Sequence, residues 1–259
     1  MNALSTLQAM KQRGKKIAML TCYDASFAAM METAGVDVLL VGDMLGVVIQ
    51  GATGTQNVTM QDMQYHTRSV AAGSKTLPVI ADLPYASDSS PVLALAHAKQ
   101  LIAAGADMVK LEGGKPEIVR HLVANNIPVC GHLGFTPQSI NSSGTYPVQG
   151  RDAASAQQIL EDALAMQQAG MSLLVLSMMP ANVAADITRK LDIPTIGIGA
   201  GKDCDGQVLV LYDMLGISPG KLTKYSRDFM ADSGSIKDAL VAYVVAVKAS
   251  SFPDTEHSF

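Results

Sequence analysis

The chain has 259 residues, of which 48% are hydrophobic and 16% are charged, and its net charge is −4 at pH 7. This length suits one large domain, and the weakly acidic balance carries no basic surface of the kind that binds nucleic acid. No run reaches the roughly 18 consecutive apolar residues of a membrane-spanning helix. The first residues do not form a signal peptide and the sparse cysteines contain no C-x-x-C pair, so we expect a reduced, cytoplasmic protein.

The predicted elements begin with a short N-terminal helix at 3–14, a strand at 17–22 and a helix at 25–34. Six further strands then alternate between two kinds of beginning. Strands two, four and six each follow a helix that a glycine closes, namely Gly35, Gly105 and Gly170. Strands three, five and seven each begin at a proline, which the first residue of a strand tolerates, namely Pro78, Pro128 and Pro194. An eighth strand is predicted at 207–212.

Further helices fill the gaps between the strands. They are predicted at about 60–73, 91–104, 116–125, 155–169, 181–191 and 235–249. Strands that alternate with helices indicate a parallel sheet, and short apolar strands covered on both faces favour closure of that sheet. We therefore predict an α/β fold, a single TIM-type (β/α)8 barrel over residues 1–259 that starts with the short N-terminal helix. The alternative is a doubly wound open sheet.

Strand four carries two opposite charges. Lys110 and Glu112 are two residues apart, so they lie on the same face of a strand, and Gly113 and Gly114 follow where the chain turns. Two charges on a buried strand are costly unless they are paired or bind something. The pair is therefore either a structural ion pair in the barrel interior or part of a functional site, and the other strand ends favour the functional site.

Polar residues end most of the predicted strands. The residues at the eight strand ends are Asp24, Asp43, Asp82, Glu112, His132, Ser177, Gly199 and Asp213. Catalytic groups of parallel barrels collect at this rim. Three carboxylates from strands two to four would raise one another's pKa values unless a cation lies among them. Carboxylate oxygens favour Mg²⁺, and zinc fits less well because the rim has one histidine and no cysteine.

This set of residues predicts a chemistry. A magnesium ion with open positions chelates a 2-oxo acid through its carboxylate and keto oxygens, and it stabilises the enolate that forms when the adjacent carbon loses a proton. Lys110 would stabilise the same developing charge. The residues alone thus reach metal-assisted enolisation of a small keto acid, but they do not identify the electrophile.

Several rim residues have a structural alternative. Asp24 and Asp213 are more often helix caps than site residues. His132 also fits a buried core histidine whose ring is hydrogen-bonded. The glycine-rich run 197–201 is similar to a phosphate cradle, which in barrels follows strands seven and eight, and a tight turn explains it equally well.

Short motifs spread along almost the whole chain resemble those of one family. They are Thr21–Asp24, Leu40–Asp43, Ala81–Pro84, Met108–Gly114, Val129–Gly134, Thr136–Ser139, Val148–Arg151, Gly197–Gly201, Asp205–Val210 and Glu256–Phe259. With these motifs the chain resembles the ketopantoate hydroxymethyltransferases.

The resemblance implies an activity and roles for several residues. Members of this family transfer a hydroxymethyl group from 5,10-methylenetetrahydrofolate to 3-methyl-2-oxobutanoate, which gives 2-dehydropantoate in pantothenate biosynthesis, and they require Mg²⁺ and assemble as homodecamers. The resemblance implies that Asp43, Asp82 and Glu112 form the metal site. It also implies that the substrate lies against Lys110, the two aspartates and residue 44, and that His132 lines the site.

The chain departs from the family pattern at four places. Met44 replaces a serine whose hydroxyl is expected to hold the substrate carboxylate. Ser177 replaces a glutamate assigned as the base that removes the proton, and a serine has no useful basicity of its own. The loop 52–59 and the stretch 143–147 replace the family sequences His-Asp-Ser-Thr-Leu-Pro-Val-Thr and Gly-Gly-Tyr-Lys.

These departures leave three interpretations open. In the first, the chain is an enzyme of this family in which another group takes the proton, with His132 as the first candidate. In the second, it is a non-catalytic relative that binds a keto acid and metal or only completes an oligomer. In the third, it is a metal-dependent aldolase or lyase that acts on another 2-oxo acid without folate. The retained carboxylates favour an enzyme, because without a bound cation they would repel each other at the carboxyl ends of the strands.

Overall fold

The computed structural model describes residues 3–139, 147–220 and 222–259. These residues form a closed barrel of parallel strands in the order β1 to β8. The strands are Ile17–Thr21, Val38–Val41, Val79–Asp82, Met108–Glu112, Val129–Gly134, Leu173–Ser177, Thr195–Ile198 and Gly206–Leu209. The barrel closes where β1 pairs with β8, with Ile17 opposite Gly206. The predicted barrel is confirmed, and the alternative of an open sheet is wrong.

Helices cover the outside of the barrel between successive strands. Helices α1 to α10 are Ala3–Gln12, Ala25–Ala34, Leu45–Val48, Met60–Gly73, Pro91–Ala103, Pro116–Ala124, Ala153–Gln168, Ala181–Lys190, Leu211–Met214 and Ile236–Lys248. The helices predicted from the sequence agree with these bounds to within two residues at each end. The two four-residue helices α3 and α9 were not predicted, because a single helical turn leaves no periodic pattern in the sequence.

The predicted eighth strand ends three residues too late. β8 ends at Leu209, and the chain turns into α9, where the backbone N–H of Leu211 donates to the hydroxyl of Thr21 at 2.9 Å. Asp213 therefore lies inside a short helix. Its carboxylate accepts hydrogen bonds from the hydroxyls of Ser218 and Ser226. The predictions that Asp213 ends a strand or caps a helix are both wrong.

Local sequence signals explain how the other helices begin and end. Asp24 caps α2 by accepting a hydrogen bond from the backbone N–H of Phe27 at 2.9 Å, which confirms its interpretation as a cap. Ser90 caps α5 in the same way and Pro91 occupies its first turn. Gly35 closes α2 with φ of 87°, a left-handed conformation that glycine adopts without strain.

The barrel interior contains two layers of different chemistry. Its lower part is filled by large apolar side chains, among them Met19, Ile80 and Met108. Two residues further along β3, β4 and β5, the inward positions carry the polar side chains of Asp82, Lys110 and His132. Because side chains alternate along a strand, Met108, Lys110 and Glu112 all face inward, so the predicted shared face of the lysine and the glutamate is confirmed. Within the described part of the chain, no helix is long and apolar enough to cross a membrane.

Candidate active site

A pocket opens at the carboxyl ends of the strands and encloses about 660 Å³ together with the solvent at its opening. Besides Thr21 and Tyr225, six polar residues line it, namely Asp43, Asp82, Lys110, Glu112, His132 and Ser177. Each of these residues is at most 6% exposed. All six were predicted from the sequence as site residues, and the fold brings them together in this one pocket.

Lys110 is held by Asp82 across the neighbouring strands β3 and β4. Lys110 Nζ lies 2.7 Å from Asp82 Oδ1, and Asp82 Oδ2 accepts a hydrogen bond of 3.0 Å from the backbone N–H of Asp43. Burial alone would lower the pKa of Lys110, but the carboxylates of Asp82, Glu112 and Asp43 raise it well above its usual value. Lys110 is therefore a fixed ammonium ion at any physiological pH.

Asp43 lies just after β2, and the positive charge near its carboxylate is too small to balance the negative charges around it. Its Oδ2 accepts a hydrogen bond of 2.7 Å from the side-chain amide of Gln138. Burial, followed by the nearby charges of Asp82 and Glu112, raises the pKa of Asp43 well above its usual value, in spite of Lys110. A cation bound beside Asp43 would relieve this repulsion.

Glu112 and His132 lie directly opposite each other in the register of β4 and β5. Glu112 Oε1 is 3.3 Å from His132 Nδ1, and Oε2 accepts a hydrogen bond of 3.0 Å from the backbone N–H of Gln138. Burial favours the neutral acid, but His132, Lys110 and Gln138 outweigh it and lower the pKa of Glu112. Glu112 is thus an ionised carboxylate with protein donors facing both of its oxygens.

Gln138 was not predicted as a site residue, although its motif was part of the family resemblance. It lies in the short 3-10 turn Pro137–Ser139 after β5. Besides its bonds to Asp43 and Glu112, its side-chain amide donates to the carbonyl of Leu83 at 2.9 Å. Gln138 therefore ties the ends of three strands together. Only the Thr-Pro-Gln-Ser pattern points to it in the sequence, and that pattern gives no role.

The carboxylates are the type of ligand that a magnesium ion prefers, but they do not form a complete coordination site. Hard oxygen ligands suit Mg²⁺, which keeps several waters and needs only one or two carboxylates. The raised pKa of Asp43 marks uncompensated negative charge in the pocket. Among residues 3–139, 147–220 and 222–259, however, no three acidic, histidine or cysteine side chains are arranged as a ready-made metal site. Asp43 and Asp82, the two neighbouring aspartates, are the pair that fits best.

Several buried polar atoms in this pocket have no hydrogen-bond partner in the described structure. They are Asp82 Oδ1, which has its ion pair with Lys110, Glu112 Oε1, and both ring nitrogens of His132. An unsatisfied buried polar group costs about 1–3 kcal/mol, so such groups are rare unless something else binds them. Asp82 Oδ1 has its ion pair, and Glu112 Oε1 and His132 Nδ1 face each other at 3.3 Å, so among the described residues Nε2 of His132 is the atom that a polar ligand would satisfy.

The mouth has a charged half and an apolar half. The charged half comes from β2 to β5 and consists of Asp43, Asp82, Lys110, Glu112 and His132. The apolar half comes from β6 to β8 and the chain that follows, and consists of Val175, Ile198, Val208, Val210 and Tyr225. A small molecule with one charged end and one branched apolar end fits this division.

Tyr225, which no sequence pattern indicated, lines the apolar half and packs against Gly199, directly after β7. A Cβ atom added to Gly199 would lie 3.1 Å from Tyr225 Cβ and 3.1 Å from the ring of Phe259. A Cβ on Gly201 would lie 2.5 Å from Ala181. The glycine-rich run is therefore packed against protein, which fits the tight turn rather than the phosphate cradle.

The remaining candidates lie away from the pocket. The three cysteines are fully buried, and burial raises the pKa of Cys22 and Cys130 to about 12 and that of Cys204 to about 11, so none is a thiolate at neutral pH. In the loop 52–59, the side chain of Val58 lies within 2.7 Å of a Cβ built on Gly46 of α3, so the loop packs beneath that helix. Residues 143–146 of the fourth departure lie outside the described residues.

The comparisons with known proteins agree over the whole chain. Residues 2–255 match the family described as ketopantoate hydroxymethyltransferase. The chain belongs to this family. It is 56% identical over 259 residues to the 3-methyl-2-oxobutanoate hydroxymethyltransferase of Methylobacillus flagellatus, covering 99% of each chain. It is 55% identical to the enzyme of the same name from Burkholderia vietnamiensis, covering 98% of this chain and 94% of that one.

Solved structures with much lower identity share the fold of this ketopantoate hydroxymethyltransferase family member. A phosphonopyruvate hydrolase in complex with oxalate and Mg²⁺ has a TM-score of 0.62 at 13% identity, with 81% of each chain covered. A 2,3-dimethylmalate lyase has a TM-score of 0.57 at 15% identity, also with 81% of each chain covered. At these identities the likeness supports the barrel architecture alone.

Two departures from the family pattern lie in the pocket itself. Met44 lines it beside Asp43, and Ser177 lines it at the end of β6. Gly134 of β5 pairs with Ser177, so Ser177 lies one strand away from His132 and two residues further along. The two positions at which the chain departs from the expected family pattern thus lie on either side of the charged residues of the pocket. The decameric assembly and the cytoplasmic location stay predictions.

Proposed function

We propose that the protein transfers a hydroxymethyl group from 5,10-methylenetetrahydrofolate to 3-methyl-2-oxobutanoate, which gives 2-dehydropantoate, by way of the enolate of the keto acid. Membership of the ketopantoate hydroxymethyltransferase family supports this reaction. The observation that carries it is the buried ammonium ion of Lys110 among three carboxylates at the mouth of the barrel. That arrangement suits a reaction in which negative charge develops on a bound oxygen.

The residues of the charged half have different roles in the reaction. Lys110 stabilises the negative charge that develops on the keto oxygen, and Asp82 holds the ammonium group in place at 2.7 Å. A donor that is already positioned before the reaction needs no reorganisation when the charge appears. The apolar half contacts the isopropyl group of the substrate and keeps water from the reacting carbon.

Asp43 and Asp82 are the residues that would hold Mg²⁺. Glu112 would lie near the ion without being a ligand. A magnesium ion bound there supplies Lewis-acid polarisation of the keto group. The raised pKa of Asp43 supports this placement, because the positive charge would offset the repulsion that burial, Asp82 and Glu112 create.

The first half of the reaction is tested by proton NMR of 3-methyl-2-oxobutanoate in D₂O, which follows the signal of the C3 proton in the presence of protein and Mg²⁺. We expect loss of this signal, and no loss in an EDTA control. Addition of 5,10-methylenetetrahydrofolate should then give 2-dehydropantoate.

The Lys110→Met variant should lose exchange, since it removes the charge that stabilises the enolate. Lys190→Met is the matched control, because Lys190 forms an exposed ion pair with Asp186 far from the pocket. Exchange no faster than the EDTA control in the wild-type protein would overturn the proposal and favour a different 2-oxo acid or a binding role.

A further inference from the structure

We propose that Nε2 of His132 is the base that removes the C3 proton, and that Glu112 is a positioning residue that holds His132 for this task. The inference rests on the proposed function. It gives the proton an acceptor on β5 in place of the carboxylate that β6 lacks.

The register of the sheet sets the contact between the two residues. Glu112 and His132 are partners across β4 and β5, and Glu112 Oε1 lies 3.3 Å from His132 Nδ1. The other oxygen of Glu112 is fixed by the backbone N–H of Gln138 at 3.0 Å. The carboxylate is therefore anchored with one oxygen toward the ring. A contact of 3.3 Å is long for a hydrogen bond, and such bonds in ligand-free sites commonly tighten when substrate binds.

The position of Glu112 selects the tautomer of the ring. A neutral imidazole carries hydrogen on one nitrogen and a lone pair on the other. A carboxylate facing Nδ1 favours hydrogen on Nδ1, which leaves the lone pair on Nε2. The same carboxylate stabilises the imidazolium ion once Nε2 has taken a proton.

Nε2 of His132 has no partner in the described part of the protein, although the residue is only 6% exposed. Other histidines differ. His66 Nδ1 is 2.7 Å from the carbonyl oxygen of Tyr23, and His97 Nδ1 is 2.7 Å from that of Ser87. Those rings serve the structure. His132 lines the pocket and its Nε2 has no partner among the described residues, so a bound ligand is the group that can supply one.

Because the residue at the end of β6 is Ser177, the chain needs a proton acceptor elsewhere in the pocket. The register partner of Ser177, Gly134, lies two residues beyond His132 on the same strand, so His132 and Ser177 line one side of the pocket. A hydroxyl does not take a proton from carbon without a base beside it. The proposal places the proton acceptor on β5, the strand next to β6.

The proposed step balances within the site. The C3–H bond breaks and its proton passes to Nε2. The electron pair forms the C2–C3 double bond of the enolate, and the negative charge moves to the keto oxygen beside Lys110. The positive charge of the imidazolium ion lies against Glu112.

The test measures C3 proton exchange in D₂O together with Mg²⁺ affinity by calorimetry. His132→Gln should reduce the maximal exchange rate by about 10²–10⁴-fold, the usual worth of a positioned base, with little change in KM. The His132→Gln, Ser177→Glu double variant should recover exchange, because it returns a carboxylate to β6. His121→Gln on α6 is the matched control and should exchange as the wild type does.

Glu112→Ala separates positioning from metal binding. We expect a lower maximal rate with a modest loss of Mg²⁺ affinity, because a nearby negative charge is removed but no ligand, whereas Asp43→Asn should lose far more of that affinity. The nitrogen-15 NMR signals of the His132 ring provide a readout independent of activity: they should report hydrogen on Nδ1 in the wild type, and a mixture of tautomers in Glu112→Ala.

The results that would overturn the inference are distinct from those that would overturn the proposed function. Exchange in His132→Gln within about threefold of the wild type shows that His132 is not the base. Loss of Mg²⁺ affinity in Glu112→Ala as large as that in Asp43→Asn shows that Glu112 is a ligand rather than a positioning residue. Absence of exchange in the wild type instead removes the proposed function, and the base with it.

Discussion

Lys110 Nζ lies 2.7 Å from Asp82 Oδ1 inside the barrel, with 4% and 3% of the two side chains exposed. An ion pair buried this deeply recovers little more than the cost of removing both charges from water, so stability alone does not explain it. Its place at the carboxyl ends of β3 and β4 explains it better. The pair holds a positive charge ready where a substrate oxygen would lie.

Breaking this pair should be costly. Lys110→Met leaves the carboxylate of Asp82 buried without its partner, and the free energy of unfolding should fall by about 3–5 kcal/mol. Urea unfolding measures the loss. Lys190→Met breaks an exposed pair and should cost less than about 1 kcal/mol. Equal losses in the two variants would contradict the buried-pair argument.

Asp43 should destabilise the metal-free protein at neutral pH. Its folded-state pKa is raised, so the folded state binds its proton more tightly than the unfolded state does, and the stability penalty exists above that pKa. Asp43→Asn in EDTA should therefore be more stable than the wild type at pH 8, by about 0.5–3 kcal/mol. The difference should shrink as the pH falls through the raised pKa toward the ordinary value.

Magnesium should make the wild type more stable than Asp43→Asn, which reverses the order expected without the metal. A ligand at 100 times its Kd stabilises the folded state by about 2.7 kcal/mol, and only the wild type has both aspartates to bind it. Melting temperatures at pH 8 with and without Mg²⁺ provide the measurement. An equal rise in wild type and Asp43→Asn would place the ion elsewhere.

Gly134 should not tolerate a side chain. Its φ is 94°, and an added Cβ would lie 2.1 Å from the carbonyl oxygen of Ser177. Gly220 has a φ of 95°, and no described residue beyond its chain neighbours lies within 4 Å of such a Cβ, which makes it a matched control. Gly220→Ala should cost about 1 kcal/mol from backbone strain, and Gly134→Ala should cost more than that and shift β5 against β6. Denaturant unfolding of both variants decides the point.

Met44→Ser should improve substrate binding. A hydroxyl beside Asp43 would donate to the substrate carboxylate, and a hydrogen bond to a charged group contributes about 1.5–3 kcal/mol. KM for 3-methyl-2-oxobutanoate should fall by about tenfold or more, with little change in the maximal exchange rate. Ile49→Ser, at an exposed position outside the pocket, serves as the control. An unchanged KM would show that another group already holds the carboxylate.

The barrel was predictable because its signals are local and repeated. Glycines that close helices and prolines that begin strands mark the boundaries, and the alternation of strand and helix sets the topology. The six polar side chains of the pocket were predictable for the same reason, since the ends of neighbouring parallel strands must meet. Asp213 was misplaced because an apolar run continues from β8 into α9 without a break in the sequence.

The pairing of charges was not predictable from the sequence. Lys110 pairs with Asp82 on the next strand rather than with Glu112 on its own strand, and Glu112 faces His132 instead. These choices depend on strand stagger and rotamers, which composition does not encode. Gln138 and Tyr225 reach the pocket from segments that follow strands, where neither position carries a periodic signal.

The division of the mouth has a consequence for how this barrel changes over time. The ion pair of Asp82 with Lys110 and the contact of Glu112 with His132 lie wholly within the charged half, so substitutions on β6 to β8 leave them intact. Single mutations on β6 to β8 can therefore change which substrate binds, while the activating groups on β2 to β5 stay in place. A combinatorial library at positions 175, 198, 208 and 210 would search acceptor specificity without touching the chemistry.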